Sequence, residues 1–256
     1  MTPRQEAVFF EIHSGLPREG PGDPQSTRRA FACLRGLPDQ PRILDLGCGP
    51  GAQTLELAEL CAGQIVAVDN HEPFIARLRR RVLEDGLEDR VHPRVADMRC
   101  LPFEPGSFDL IWAEGSIYLI GFSTGLREWR PLLARHGQIA VTEVSWLKTD
   151  VPAELRAFWL EAYPGIRSIP ENQAEVREAG YELRSSFTLP ESAWWDSYYR
   201  PLEARLAGLE ARYSGDTEAL EVLARERREI ELFRKFSDCY GYVFYVGEVR
   251  PGNARA

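Results

Sequence analysis

The sequence predicts an α/β fold with a doubly wound parallel sheet, and two observations predict it. From Arg42 onward, short apolar runs alternate with helical patterns, and strands joined by such helices form a parallel sheet with right-handed crossovers. The runs are apolar throughout rather than alternating, as expected for strands that helices cover on both faces. With 256 residues, the chain is long enough for one large domain with a full core.

Strands and helices alternate regularly in the first half of the chain. We predict strands at residues 43–46, 65–68, 91–95, 108–112 and 138–144, and helices at residues 52–61, 73–84 and 126–135. Pro73 falls in the first turn of its helix, where its missing N–H costs nothing. Pro93 cannot donate to a neighbouring strand, so its strand is a candidate for a sheet edge.

The second half departs from this alternation. We predict helices at residues 152–163 and 172–179, a strand at 181–189, helices at 190–213 and from about 217 to 236, and a last strand at 241–247. Gly180 is well placed to end the helix before it. The two long helices therefore form an insertion before the last strand.

Composition and charge exclude several classes of protein. The net charge of -8 argues against broad binding to nucleic acid or to anionic membranes, which requires a basic surface. The five cysteines contain no C-x-x-C pair, and the four histidines show no metal-ligand spacing, so we predict reduced thiols and no metal site. The N-terminal residues lack the apolar run of a signal peptide, so we expect a cytoplasmic protein.

The stretch R-I-L-D-L-G-C-G-P-G, residues 42–51, is typical of a nucleotide-binding turn between a strand and a helix. Its glycines, with Ala52 three residues after Gly49, do not by themselves distinguish a dinucleotide site from an S-adenosylmethionine site. Asp45 favours the second, because a carboxylate there repels a pyrophosphate and attracts the ammonium of a methionyl tail, directly or through water.

Acidic residues follow the next strands at the same edge of the sheet. Asp69 is placed to accept from two ribose hydroxyls, and Asp97 from an adenine amino group. The predicted cofactor-binding residues are Asp45, Gly47, Cys48, Gly49, Gly51, Asp69, Asn70, Asp97, Met98, Glu114 and Gly115.

With these motifs together, the chain resembles the class I S-adenosylmethionine-dependent methyltransferases over about residues 40–145. More narrowly, E-G-S-I-Y-L-I-G-F and E-V-S-W resemble a bacterial small-molecule group that is distantly similar to the methyltransferases of quinone biosynthesis. The resemblance implies a Rossmann-like, seven-stranded, mainly parallel sheet with an antiparallel last strand. The helical insertion then falls between strands six and seven.

This fold implies an arrangement of parts along the chain. We expect one methyltransferase domain over residues 1–256. Its parts would be an N-terminal helical lid at 1–40, a cofactor-binding core at 41–189, an insertion over the substrate pocket at 190–238, and the last strand at 239–250. A parallel sixth strand ends on the ligand side of the sheet, and an antiparallel seventh strand begins on that side. The insertion between them is therefore placed to cover the acceptor.

Candidate acceptor residues lie in the loop at 16–23 and in the insertion. Arg18 is a candidate to face an anionic group, with a plain loop as the alternative. In W-W-D-S-Y-Y, an α-helix places Trp194 over Tyr198 and Trp195 over Tyr199, either as an aromatic wall for a flat or cationic acceptor or as packing on the sheet. Glu114 is the candidate base, and Tyr118 the candidate to position the acceptor.

These expectations define a reaction. We predict metal-independent, in-line transfer of a methyl group from S-adenosylmethionine to a small molecule, with S-adenosylhomocysteine as the product. Three alternatives stay open: an NAD(P)-dependent oxidoreductase, a nucleic-acid methyltransferase, and a cofactor-binding protein without methyl transfer. Asp45 argues against the first, and A-E-G-S in place of a proline-aromatic motif such as N-P-P-Y argues against the second.

Overall fold

One mixed sheet forms the centre of the computed structural model, which describes residues 1–250. Its strand order is β3-β2-β1-β4-β5-β8-β7, and the two-residue strand β6 pairs with β5. The strands are β1 Arg42–Leu46, β2 Gln64–Asp69, β3 Val91–Val95, β4 Phe108–Ala113, β5 Leu133–Trp146, β6 Arg167–Ser168, β7 Tyr181–Thr188 and β8 Tyr240–Val249. β8 runs antiparallel to both β5 and β7. The mainly parallel sheet with an antiparallel last strand is therefore confirmed.

Helices cover both faces of this sheet. They are α1 Pro3–His13, α2 Pro24–Ala32, α3 Ala52–Leu60, α4 Glu72–Glu84, α5 Phe122–Trp129, α6 Ala153–Ala162, α7 Ile169–Glu178, α8 Glu191–Trp194, α9 Arg200–Arg212 and α10 Thr217–Phe236. Side-chain caps fix where several begin: Asp23 accepts from the Ser26 N–H, and Asp216 from the Ala219 N–H. None of the helices in residues 1–250 is long and apolar enough to cross a membrane.

The helix predicted at residues 126–135 lies elsewhere. It begins at Phe122 and ends at Trp129, and β5 begins at Leu133 after one turn of 3-10 helix. Pro131 explains the early end, because it has no N–H to continue the α-helical ladder. Leu133 instead pairs with Phe108 of β4.

The insertion also differs from a regular α-helix. Between α8 and α9, residues Trp195–Tyr199 form a π-helical segment in which the Arg200 N–H donates to the Trp195 carbonyl. Pro201 follows directly, and its missing N–H cannot bond to the carbonyl four residues earlier, which favours the wider turn. Trp194 therefore packs against Tyr199, at 5.6 Å between ring centroids, and not against Tyr198 as an α-helix would require. Trp195 keeps the contact with Tyr199 that α-helical spacing predicts.

The first helix and the insertion contact each other above the carboxyl ends of the central strands. Arg4 of α1 binds Asp216 at 2.7 Å, and the Tyr213 hydroxyl donates to Glu11 at 2.6 Å. The Arg205 guanidinium donates to the Glu11 carbonyl at 2.7 Å. We call α1 together with α8–α10 the roof.

The central crevice lies where the chain reverses direction across the sheet. β1 lies between β2 and β4, so the connections after β1 and after β4 leave in opposite directions. In open α/β sheets, ligands bind outside the carboxyl ends of the strands at such a point. The glycine turn after β1 and the residues after β4 therefore face each other across one crevice.

Gly51→Ala tests how tightly the glycine turn packs. Gly51 has a φ of +88°, and an added Cβ would lie 2.2 Å from Leu78 Cδ1. We expect the free energy of unfolding, measured with urea, to fall by about 2–4 kcal/mol. Gly86→Ala is the matched control, because Gly86 has a φ of +66° but nothing within 4 Å. The free energy of unfolding of Gly86→Ala should fall by only ~1 kcal/mol. Equal falls in the two variants would contradict tight packing around Gly51.

Candidate active site

A cavity of about 340 Å³ lies at the carboxyl ends of β1, β2 and β4. The glycine turn forms one wall, and the Gly47 and Cys48 N–H groups donate to the Val68 carbonyl. Gly47 has a φ of +67°, and an added Cβ would lie 2.3 Å from Ser116 Cβ. Only glycine therefore lets this turn approach the segment after β4 so closely. The cavity lining includes Gly47, Cys48, Gly49, Asp69, Asn70, Asp97, Met98, Glu114 and Gly115, all predicted from the sequence.

Asp69 is held in place by the backbone around it. Its carboxylate accepts from the Gly49 N–H at 2.9 Å and from the His71 N–H at 2.8 Å. Burial raises the pKa of this carboxyl above its ordinary value, and these two hydrogen bonds oppose that rise. Each carboxylate oxygen keeps a free lone pair, so Asp69 can still accept from a ligand.

Two predicted cofactor residues, Asp45 and Gly51, do not reach the cavity. Asp45 is fully buried and accepts from Thr54 Oγ1 at 2.6 Å and from Gln53 Nε2 at 3.3 Å. Burial raises its pKa to about 7. Gln53 lines the cavity instead. Its place in the first turn of α3, directly after the glycine turn, is the sequence signal that would have identified it.

Glu114 forms a buried network with Arg18. The Arg18 guanidinium binds Glu114 Oε2 at 2.6 Å, while Thr27 Oγ1 and Trp112 Nε1 donate to Oε1 at 2.7 and 2.9 Å. Three donors therefore occupy the carboxylate, which makes Glu114 a residue that holds Arg18 in place rather than a free base. Arg18 lines the first cavity, and its contact with the acceptor stays a prediction.

A second cavity, of about 430 Å³, lies between the first cavity and the roof. Its aromatic lining includes Phe9, Tyr118, Trp159, Tyr163, Trp194, Tyr198 and Tyr242. Eight residues line both cavities, and they are Met1, Phe9, Glu19, Gly20, Pro21, Gly115, Tyr118 and Leu119. We call the region between these eight residues the junction.

The aromatic motif of the insertion divides between two environments. Trp194 and Tyr198 line the second cavity, as predicted for an aromatic wall. Tyr199 points away from it and donates to Glu229 Oε1 at 2.9 Å, and Trp195 lies under the Arg234 guanidinium at 5.0 Å. Trp195 and Tyr199 do not line the second cavity, although their rings lie 5.6 Å apart as an α-helical pair would. Their contact with the acceptor stays a prediction.

Titratable groups at the junction are shifted toward their neutral forms. Burial, with the nearby Glu229 and Glu226 carboxyls, raises the pKa of Tyr118 to about 12, so its hydroxyl is a hydrogen-bond donor at neutral pH. Burial raises the pKa of Glu19 to about 8. Neither Glu19 oxygen has a hydrogen-bond partner within residues 1–250.

Glu143 of β5 is a further buried carboxyl that lacks a hydrogen-bond partner among the described residues. It is 1% exposed, and its two oxygens have no hydrogen-bond partner among the described residues. Burial raises its pKa to about 8, although Tyr163 lies close enough to oppose this rise. A charged Glu143 is therefore costly to the fold.

The potential for metal binding is low in the described part of the chain. No group of three or more His, Cys, Asp or Glu side chains is arranged there to hold a metal ion.

Comparison with known proteins identifies the family of the chain. A model of a methyltransferase domain matches residues 43–137, which contain the glycine turn and most of the first cavity. The chain is 29% identical over 213 residues to 27-O-demethylrifamycin SV methyltransferase of Amycolatopsis mediterranei, covering 79% of this chain and 75% of that one. The chain contains a methyltransferase domain. Other curated relatives are matched over about half of their own length.

Solved structures agree with the fold of the methyltransferase. One is an S-adenosylmethionine-dependent methyltransferase from Thiobacillus denitrificans in complex with S-adenosylhomocysteine. It has a TM-score of 0.80 at 21% identity and covers 97% of this chain and 99% of that one. The cyclase SpnF has a TM-score of 0.74 at 20% identity, over 96% and 93% of the two chains. The cyclase activity of SpnF means that this fold alone does not fix the reaction.

The lining of the first cavity fits S-adenosylmethionine, the cofactor predicted from the sequence. The cofactor carries positive charge on its sulfur and its amino group, and Glu19 and Asp69 present carboxyls to the cavity, whereas the Glu114 carboxylate is already paired with Arg18. Met98 and Phe74 supply apolar surface for a purine. When bound, the cofactor supplies a methyl group on an activated, positively charged sulfur.

Asp69→Asn tests this assignment. The amide keeps the shape of Asp69 but loses the charge and part of the accepting capacity. We expect the affinity for S-adenosylhomocysteine, measured by calorimetry, to fall at least about tenfold, or ~1.4 kcal/mol. Asp109→Asn is the control, because Asp109 lies at the other end of β4 and accepts from the Arg42 N–H. Unchanged affinity in Asp69→Asn would contradict a cofactor role for this residue.

Glu143→Gln tests the cost of the buried carboxyl. The fold favours the protonated form of Glu143. The stability that this side chain contributes is therefore fully present at low pH and is lost as the pH rises through about 8. We expect the variant to be more stable than the native protein at pH 8 by ~1–3 kcal/mol, and the gain to shrink toward pH 4. Glu128→Gln, at an exposed site, should change neither value. A gain that is the same at both pH values would refute this account.

Proposed function

We propose that the methyltransferase transfers a methyl group from S-adenosylmethionine directly to a small-molecule acceptor in the second cavity. The observation that carries this proposal is the junction, since eight residues line both cavities. The two cavities therefore adjoin there, and an acceptor atom at the junction would face the end of the first cavity. Direct transfer requires such a contact, because the two reacting atoms must approach within about 3–3.5 Å.

The chain's own residues supply alignment and exclude water. Arg18, fixed by Glu114, lines the first cavity and is available to a carboxylate on the cofactor. Tyr118 borders both cavities and presents a neutral hydroxyl to the acceptor. The roof covers the second cavity with Phe9, Trp194 and Tyr198, and alignment alone can be worth ~7–11 kcal/mol of a reaction barrier.

The size and lining of the second cavity favour a small molecule over a macromolecule. A volume of about 430 Å³ is within the usual range of small-ligand sites, and its lining is rich in aromatic side chains. The net charge of -8 opposes the approach of a nucleic acid. In this proposal residues 1–40 act as the lid and residues 190–238 as the cover of the acceptor, and the transfer requires no metal.

Ala162→Trp tests whether the second cavity holds the acceptor. Ala162 lines the second cavity but not the first, so the larger ring occupies acceptor space. We expect transfer of label from methyl-labelled S-adenosylmethionine to a small-metabolite extract to fall at least about tenfold, or ~1.4 kcal/mol. The affinity for S-adenosylhomocysteine should remain that of the native protein.

Ala157→Trp provides the matched control, since Ala157 is exposed on the same helix, α6. It should retain native transfer. If Ala162→Trp kept full transfer while Trp filled the cavity, the acceptor would bind elsewhere and the proposal would fail.

A further inference from the structure

The second cavity carries an excess of acidic side chains. Glu19, Glu221, Glu226 and Glu229 line it, and Arg225 is the one Lys or Arg that lines it within residues 1–250. Arg225 is exposed on α10, whereas Glu226 beside it is buried. The interior of the cavity is therefore more acidic than its edge.

Glu226 has no effective partner inside the protein. It is 7% exposed and lines the cavity, and no hydrogen bond joins it to another residue of the described chain. The nearest cation candidate is His13, whose Nε2 lies 3.7 Å from Glu226 Oε2. Whether this contact is an ion pair depends on the protonation of His13.

The buried ring of His13 favours its neutral form, with the proton on Nδ1 and a lone pair on Nε2. Its Nδ1 lies 2.8 Å from the Phe9 carbonyl, which only accepts, so Nδ1 carries the proton. Nε2 then accepts from the Tyr198 hydroxyl at 3.0 Å. Burial lowers the pKa of His13 to about 4, so the ring stays neutral at physiological pH. Glu226 therefore receives neither a charge nor a proton from His13.

Glu229 lies on the same face of α10, three residues after Glu226, and is fixed differently. It accepts from the Tyr199 hydroxyl at 2.9 Å, so the π-helical segment sets its position. Burial raises the pKa of both carboxyls, that of Glu226 to about 8. A cation in the cavity would compensate both, and without one a charge there is costly.

Aromatic rings complete the surroundings of these carboxyls. Trp194 and Tyr242 line the same cavity with ring centroids 5.0 Å apart, and Tyr198 lines it next to His13. Ring faces attract cations, most strongly when water is excluded, and aromatic cages are a known way to bind substituted ammonium groups. A neutral or anionic acceptor would leave the charge of these carboxyls uncompensated.

We propose that the acceptor is an amine, which enters the second cavity as an ammonium ion and binds Glu226 against Trp194, Tyr198 and Tyr242. This inference rests on the proposed methyl transfer and names its acceptor class. Such an ion must first give a proton to a carboxylate, for which Glu226 is placed. The nitrogen lone pair then forms a bond to the methyl carbon, the carbon–sulfur bond breaks, and its electron pair stays on sulfur.

The first test measures binding to the native protein saturated with S-adenosylhomocysteine. The probes share one aromatic body: benzyltrimethylammonium, which cannot be methylated, benzyl alcohol and phenylacetate. We expect benzyltrimethylammonium to bind at least about tenfold more tightly than the other two by calorimetry. Equal binding of the three probes, or preference for phenylacetate, would overturn the inference without requiring any variant.

The second test locates the preference. Glu226→Gln keeps the size of the side chain and removes its charge, so the preference for benzyltrimethylammonium should fall at least about fivefold. Glu231→Gln is the control on the same helix, since Glu231 is exposed and lines neither cavity. It should retain the native preference. Loss in the control alone, or an unchanged preference in Glu226→Gln, would contradict the role given to Glu226.

A labelled-methyl assay separates this inference from the function on which it rests. Label in the amine fraction of a metabolite extract, but not in alcohols, thiols or carboxylates, is the result expected. Label confined to one of the other fractions would overturn the amine assignment and leave methyl transfer intact. No label in any fraction, with native affinity for S-adenosylhomocysteine, would count against both.

Discussion

The buried ion pair between Arg18 and Glu114 is the contact on which the arrangement of the site depends. It joins residues 96 positions apart and holds the N-terminal segment against the carboxyl end of β4. Glu19 and Gly20 follow Arg18 directly, so the pair also places two residues of the junction. Removing one partner of such a pair leaves a buried charge, which typically costs ~3–5 kcal/mol. The Arg18–Glu114 ion pair therefore connects the N-terminal segment, which covers the active site, to the sheet.

Local sequence signals predicted the sheet and many of the residues that line the first cavity. Strands covered on both faces need continuous apolar runs, so β1, β2, β4 and β5 could be recognised without any tertiary information. The glycine turn has a backbone that few other residues allow, which is why Gly47 and Gly49 were identified directly. Asp69, Asp97 and Glu114 follow strands, and the parallel sheet brings their ends together.

Predictions failed where distant residues or a single proline decided the geometry. Asp45 is turned away from the cavity by Gln53 and Thr54, which bond to it from α3. Pro201 widens the helix before it, so Trp194 contacts Tyr199 and not Tyr198, whereas the predicted pair of Trp195 and Tyr199 does form. The partner of Arg18 could not be predicted at all, because no local pattern relates the loop at 16–23 to the end of β4. The similarity to methyltransferases of quinone biosynthesis stays a prediction.

The two cavities meet at the junction, and their surfaces differ in chemistry. The first cavity offers a tight backbone turn and fixed carboxylates to a cofactor of known charge. The second cavity offers aromatic rings and carboxyls that lack partners. Its occupant therefore has to supply the positive charge that compensates these carboxyls. The most direct measurement incubates the pure protein with methyl-labelled S-adenosylmethionine and separate fractions of metabolites, RNA and protein. We expect label in the metabolite fraction alone. Label confined to RNA or protein would contradict methyl transfer to a small-molecule acceptor.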